Sequence, residues 1–408
     1  MIKIAPFKAL RPEPQLARQV ASRPYDVLNS REAKTEAQGN PNSFLHITKS
    51  EIDLPEQTDI HSDIVYKTAA ENLKAFMSRN VLFKENKSCY YIYRLIMNGR
   101  SQTGLVCTSS VDDYENGFIK KHEFTRPEKE LDRINHIKTT HAQTGNVFLA
   151  YRNVEEMDQL VNKWCADKSP QYDFMAEDGI QHSIWIVSDD QAVSEITRIF
   201  QEKVPCTYIA DGHHRAASAA KVRQALGKNA TSESDYFLTT LFPSSQLAIL
   251  DYNRVISDLN GHDASSIISA LQEHFIVEEV GQICKPAQLH ELGMYIDKKW
   301  YKLTAKDGTY TNDPIGVLDV TILQNNILLP IFGIADQRTD KRIDFVGGIR
   351  GLEELEKRVD SGEMKIAFSL YPVSIEQLFD ISDSGNVMPP KSTWFEPKLR
   401  DGLLTHLI

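Results

Sequence analysis

Several things are scarce in this chain, and each scarcity narrows what it does. Five cysteines in 408 residues, at positions 89, 107, 165, 206 and 284, form no Cys-x-x-Cys pair. They offer neither a disulfide framework nor a zinc ribbon. No stretch approaches the roughly 20 apolar residues that a bilayer-spanning helix requires. The opening "MIKIAPFKALRPEPQ" turns polar too soon for a signal peptide. A cytoplasmic protein without a membrane partner is expected. Positive charge is also short: 46 Lys and Arg stand against 56 Asp and Glu, a net charge of -10. Binding along a nucleic-acid backbone needs clustered cations, so no nucleic-acid partner is expected. The Walker G-x-x-x-x-G-K-[ST] loop, HExxH and G-x-G-x-x-G are all missing. "DFVGGIRGLEEL" has a strand, glycines and a helix, but not the dinucleotide spacing.

What is present is an ordinary globular composition, 41% hydrophobic and 25% charged. At this length two or more domains are expected. The pattern alternates helices and strands, for an α+β fold class. "SDIVYKTAAENLKAFMSRNVLF" is spaced for one helical face, "EKELDRINHIKTTHAQTG" reads as a charged helix and "NVFLAY" as a buried strand. "CYYIYRLIMNGRSQTGLVCTSSV" reads as a hairpin about Asn98-Gly99. A change of pattern after "TLFPSSQLAILDYNRVI" puts a boundary near residue 245, dividing the chain into 1–245 and 246–408.

The densest chemical statement is "YIADGHHRAASAA", residues 208–220. An apolar run before it suits a strand and an alanine-rich run after it suits a helix, so Asp211-Gly212-His213-His214-Arg215 falls on a strand-to-helix turn. Helix-start amides lack intrahelical partners and attract anions. Gly212 permits close backbone approach, and Arg215 carries a fork for two phosphate oxygens. The pattern suggests a phosphate cradle; the alternative, which His-His-Arg makes the lesser one, is an N-cap aspartate, a turn glycine and two ordinary first-turn histidines. Adjacent histidines point about 100° apart on a helix, which is not a metal-ligand spacing. Near the end, "NVMPPKSTWFEPKL" is broken by prolines into an extended loop. Lys391, Ser392 and Thr393 are candidates for touching an anionic ligand, and a packing strap is the equal alternative. Arg23 and Asp26 of "RPYDV" reach the site or pair within the N-terminal segment.

These segments, with "GFIKKHEFT" and "KELDRINHIKTTHAQTGNVFLAY", resemble in order a large bacterial domain-of-unknown-function family numbered 1015. A more distant similarity is to the ParB/sulfiredoxin-like fold, through "HE" upstream and "DGHHR" downstream. Some members of that fold are kinases of free serine. The resemblance implies a ParB/sulfiredoxin-like core with an N-terminal extension and a C-terminal α/β region. It implies Glu123 as a base, with Asp211 and His214 assisting, and Gly212, His213, His214 and Arg215 on nucleotide phosphates. Mg²⁺ with ADP or ATP is then the expected cofactor, and a small hydroxylated metabolite, an amino acid among them, the acceptor. The alternative is a nucleotide- or anion-sensing regulatory module without turnover. In either case 87 residues, 124–210, separate the two motifs.

Overall fold

The computed structural model describes all 408 residues and divides into two compact units. The first comprises Met1–Leu247 together with Pro397–Ile408, and the second Ala248–Glu396. The fold is α+β. No helix is long and apolar enough to cross a membrane.

A nine-stranded mixed sheet organises the first unit. Within it the strands Tyr90–Met97 and Arg100–Ser110 form a hairpin. Asn98 and Gly99 turn it with φ of 51° and 78°. Two consecutive residues of positive φ are what a tight hairpin turn demands, which is why Asn-Gly marks it in the sequence. Strand Val147–Tyr151 is buried along its length, between a parallel neighbour, Tyr236–Pro243, and an antiparallel one, Thr207–Asp211. Helices Pro127–Thr140 and His213–Leu226 pack against one another. Alanines at 216, 217, 219 and 220 are buried in the apolar core of this unit, and Ser218 Oγ donates to the Glu130 carbonyl at 3.2 Å.

One pairing positions the site. The short strand Ile119–Lys120 lies parallel to Thr207–Asp211, with Ile119 opposite Thr207 and Lys120 opposite Tyr208. Parallel strands end on the same edge of a sheet, so the residues that follow each strand emerge side by side. The 87-residue span between the motifs is taken up by the rest of the unit.

The second unit is a six-stranded antiparallel sheet with its own apolar core. On its penultimate strand, Tyr252–Ile256, Arg254 is fully buried, donating to Gln337 Oε1 at 3.2 Å, the Pro390 carbonyl at 3.0 Å and the Tyr252 carbonyl. These neutral partners anchor the proline-rich loop. Trp394 packs edge-on against Tyr252 at 5.2 Å and covers Gly347.

Candidate functional site

The site is built where the two parallel strands stop. After Asp211 the chain turns through Gly212, whose φ of 102° and ψ of 30° strain any residue with a Cβ. A Cβ there would also lie 3.1 Å from Arg215 Nε. The helix then starts at His213 with no side-chain cap on its first amides. Opposite, Lys121 to Arg126 lead from the neighbouring strand into helix Pro127–Thr140, and the two turns touch. The backbone amide of His122 meets His213 Nε2 at 3.5 Å, and that of Arg126 meets His214 Nδ1 at 3.4 Å. Glu123 Oε2 lies 3.7 Å from His213 Nδ1. Parallel register has thus brought "HE" and "DGHHR" together.

Electrostatics differ sharply across this cluster. Burial pushes Asp211 up, but Lys398 and Arg215 outweigh it and hold the carboxyl below its usual range. Lys398 Nζ sits 2.9 Å from Asp211 Oδ2, and Arg215 Nη2 3.4 Å from Oδ1. Arg215 is 9% exposed and has partners on three sides: Asp211, Asp26 at 3.2 Å and the Asn146 carbonyl. Desolvation is therefore outweighed for this guanidinium too, by Asp26 and Asp211. Burial keeps His122 neutral, down to about 4, and burial with His122 as neighbour holds His213 well below its ordinary value. His214, less enclosed, is lowered by burial as well. Four buried side-chain atoms here have no hydrogen-bond partner: His122 Nδ1, Asn146 Oδ1, Arg215 Nε and Asp401 Oδ2. Such groups are rare in folded interiors and concentrate where chemistry or binding occurs.

Behind Arg215 lies a small cavity of about 20 Å³, room for a water-sized group, lined among others by Tyr25, Arg133, Gln143 and Thr144. The Tyr25 ring stacks on the Arg133 guanidinium at 3.9 Å. Asp401 is buried nearby, 3% exposed, and its burial pushes the carboxyl up to about 8 in spite of Arg215. At neutral pH it is therefore protonated. The unfolded chain releases this proton near the usual carboxylate range and the native state retains it, so the contribution of Asp401 to stability is greatest at low pH and declines as pH rises toward 8, opposite in sign to that of Asp211. Asp401→Asn is expected to flatten that decline, which amounts to at most about 1.4 kcal/mol per pH unit, and to raise the melting temperature above pH 8. Thermal unfolding of both proteins from pH 5 to 9 checks it; parallel profiles would show that Asp401 is ionised in the fold.

The sequence-predicted residues sort as follows. Glu123, Asp211, Gly212, His213, His214 and Arg215 come together in the first unit. The Arg215 fork, expected to grip phosphate, has Asn146, Asp26 and Asp211 on its two Nη atoms, while its Nε has no partner. Lys391, Ser392 and Thr393 belong to the second unit. Ser392 Oγ there donates to the Pro389 carbonyl at 2.7 Å, and Lys391 Nζ lies 5.7 Å from the Tyr252 ring centroid. Asp26 does reach Arg215, whereas Arg23 pairs with Glu36 at 2.6 Å. Lys398, Asp401, Tyr25, Arg133 and His122 were not singled out from the sequence. Lys398 stands seven residues past Lys391 in the same quoted motif, and His122 is the first letter of "HE".

The metal expectation is tested by the same contacts. No group of three or more His, Cys, Asp or Glu is arranged to hold an ion. Both Asp211 oxygens face cations. The half-exposed Glu123 is the carboxylate at the outer edge of the cluster. This set fits a Mg²⁺ held chiefly by nucleotide phosphates, and not a resident ion in a protein cage.

The family model described as "Protein of unknown function (DUF1015)" matches residues 4–321. The chain belongs to this family. No curated protein matches the DUF1015 chain in sequence. Among solved structures, a free serine kinase in complex with AMP is similar at 13% identity and a TM-score of 0.34, over 74% of this chain and 92% of that one. A conserved hypothetical protein from Pyrococcus furiosus aligns at 14% identity and 0.36, over 74% and 94%. SbnI with C-terminal truncation from Staphylococcus aureus aligns at 10% and 0.37, over 72% and 85%. Superpositions at this level assign no chemistry to the DUF1015 protein.

Proposed function

We propose that this DUF1015 protein carries out nucleotide-dependent phosphoryl transfer to a small hydroxylated metabolite at the Asp211–Arg215 turn, within a ParB/sulfiredoxin-like core. One observation carries the reading: a half-exposed carboxylate, Glu123, faces the uncapped start of helix His213–Leu226 across the ends of two parallel strands. Phosphoryl transfer needs positioning and charge stabilisation more than covalent chemistry, and those two groups supply a proton acceptor beside an anion-binding terminus.

In this reading the nucleotide phosphates lie on the backbone of Gly212 to His214, with the Lys398 ammonium beside them and His214 at the edge. Glu123 takes the acceptor's hydroxyl proton. The oxygen attacks the terminal phosphorus, the bond from phosphorus to the nucleotide oxygen breaks, and a nucleotide shorter by one phosphate leaves. Mg²⁺ bound to ADP or ATP would neutralise phosphate charge. Arg215 acts through Asp211 and Asp26, fixing the turn. Asp211 in turn holds Lys398.

Calorimetric titration of ADP and ATP, each with Mg²⁺, tests the site in wild type and Lys398→Met. Loss of one charge-assisted contact is worth about 1.5–3 kcal/mol, so binding in the variant should weaken about 10- to 100-fold. Absence of nucleotide binding in the wild type would overturn the reading. Binding without turnover on any hydroxylated metabolite would favour the anion-sensing module instead.

A further inference from the structure

We infer, on the phosphoryl-transfer reading above, that His213 is a positioning residue for the Glu123 carboxylate, with the backbone amide of His122 deciding which ring nitrogen carries the proton. The direction of donation follows from the contacts. The His122 amide meets His213 Nε2 at 3.5 Å, and an amide only donates, so Nε2 serves as the acceptor. A neutral imidazole with Nε2 bare has its proton on Nδ1. Nδ1 is the nitrogen that faces Glu123 Oε2, 3.7 Å away. That separation is long for a finished hydrogen bond, and rotation of the half-exposed glutamate closes it, as catalytic contacts tighten when substrate binds.

The ring itself cannot swing away. His122 meets it edge to face, with centroids 4.5 Å apart and planes at 87°, and both side chains are buried. Burial with His122 alongside keeps His213 uncharged, which leaves a single N–H to commit. Both ring nitrogens are then accounted for, one by the His122 amide and one by Glu123. None remains for a phosphate oxygen, so His213 leaves the cradle while its backbone stays in it. The consequence is a carboxylate whose orientation and proton affinity are set from the interior by one histidine.

Long-range ¹H–¹⁵N correlation spectra of the histidine side chains in the full chain test this, with His213 and His122 assigned through His213→Asn and His122→Gln. The expected result is a neutral His213 protonated on Nδ1 throughout about pH 6 to 8, with an Nδ1 resonance that moves in Glu123→Gln. Protonation on Nε2, or indifference to Glu123→Gln, would overturn the proposal. Turnover supplies a second arm. An asparagine amide nitrogen falls near Nδ1 and a glutamine amide nitrogen near Nε2, so His213→Asn keeps the donor toward Glu123 and His213→Gln loses it. Activity within about tenfold of wild type is expected for the former, and a loss of about 100-fold for the latter with its acid limb moved to higher pH. Equal losses with an unchanged pH profile would reduce His213 to a packing residue. If the wild type neither binds nucleotide nor turns over, the functional reading fails, and the spectra still decide whether His213 orients Glu123.

Discussion

Arg215→Ala is expected to destabilise the first unit severely, lowering its melting temperature by about 10 °C or more. Removing the guanidinium takes a partner from the partly exposed Asp26, leaves Asp211 with Lys398 as its cation, and frees the buried Asn146 carbonyl. Breaking a buried charge network by deleting one partner costs about 3–5 kcal/mol, because the remaining charges keep their desolvation penalty. Arg215→Lys retains the charge without the fork and should fall between the two. Differential scanning calorimetry of the three proteins reads the result. A variant melting within about 2 °C of the wild type would mean that the guanidinium is not the hub of this network. The expected instability also makes Arg215→Ala a poor probe of ligand binding: lost affinity would report lost structure. Lys398→Met also takes a partner from Asp211, so its melting temperature is measured beside the titration and affinity is compared only if the fold is retained.

Glu123→Gln is expected to bind nucleotide within about twofold of wild type while losing about 10²- to 10⁴-fold in turnover. The substitution keeps size and hydrogen-bonding capacity and removes only the basic oxygen. Its position supports the separation, since Glu123 is half exposed. Single-turnover kinetics with a hydroxylated acceptor, alongside titration of the nucleotide, measures both quantities. Unchanged turnover would take the base role from Glu123. Loss of both together would mean that the carboxylate holds the ligand and does not act on it.

The two predictions differ in kind because the same five-residue turn contains a structural arginine and an outward-facing surface. Its local form was legible in the chain. β-branched and aromatic residues, one glycine and an alanine run specify strand, turn and helix with little outside help, and Gly212 has the positive φ such a turn needs. The Asn98-Gly99 hairpin was legible for the same reason. Partners were not. Asp26 lies 189 residues from Arg215 in sequence and Lys398 187 from Asp211. Nothing in local propensity chooses among the many charges at such separations.

The C-terminal motif shows the limit most plainly. Its prolines exclude regular structure and its lysines advertise an anion site, but Lys391 and Lys398 are equivalent on those terms. The chain passes from one compact unit to the other between Glu396 and Pro397, which puts Lys398 in the unit that holds Asp211, 2.9 Å from its Oδ2. By itself the sequence determined the turn, the hairpin, the α+β class and the family, all of which follow from short-range backbone preference or ordered motifs. Tertiary structure alone decided that Glu123 meets His213, through parallel register of two short strands, and that Arg215 is spent inside the protein, because a buried charge takes whatever partners the fold delivers.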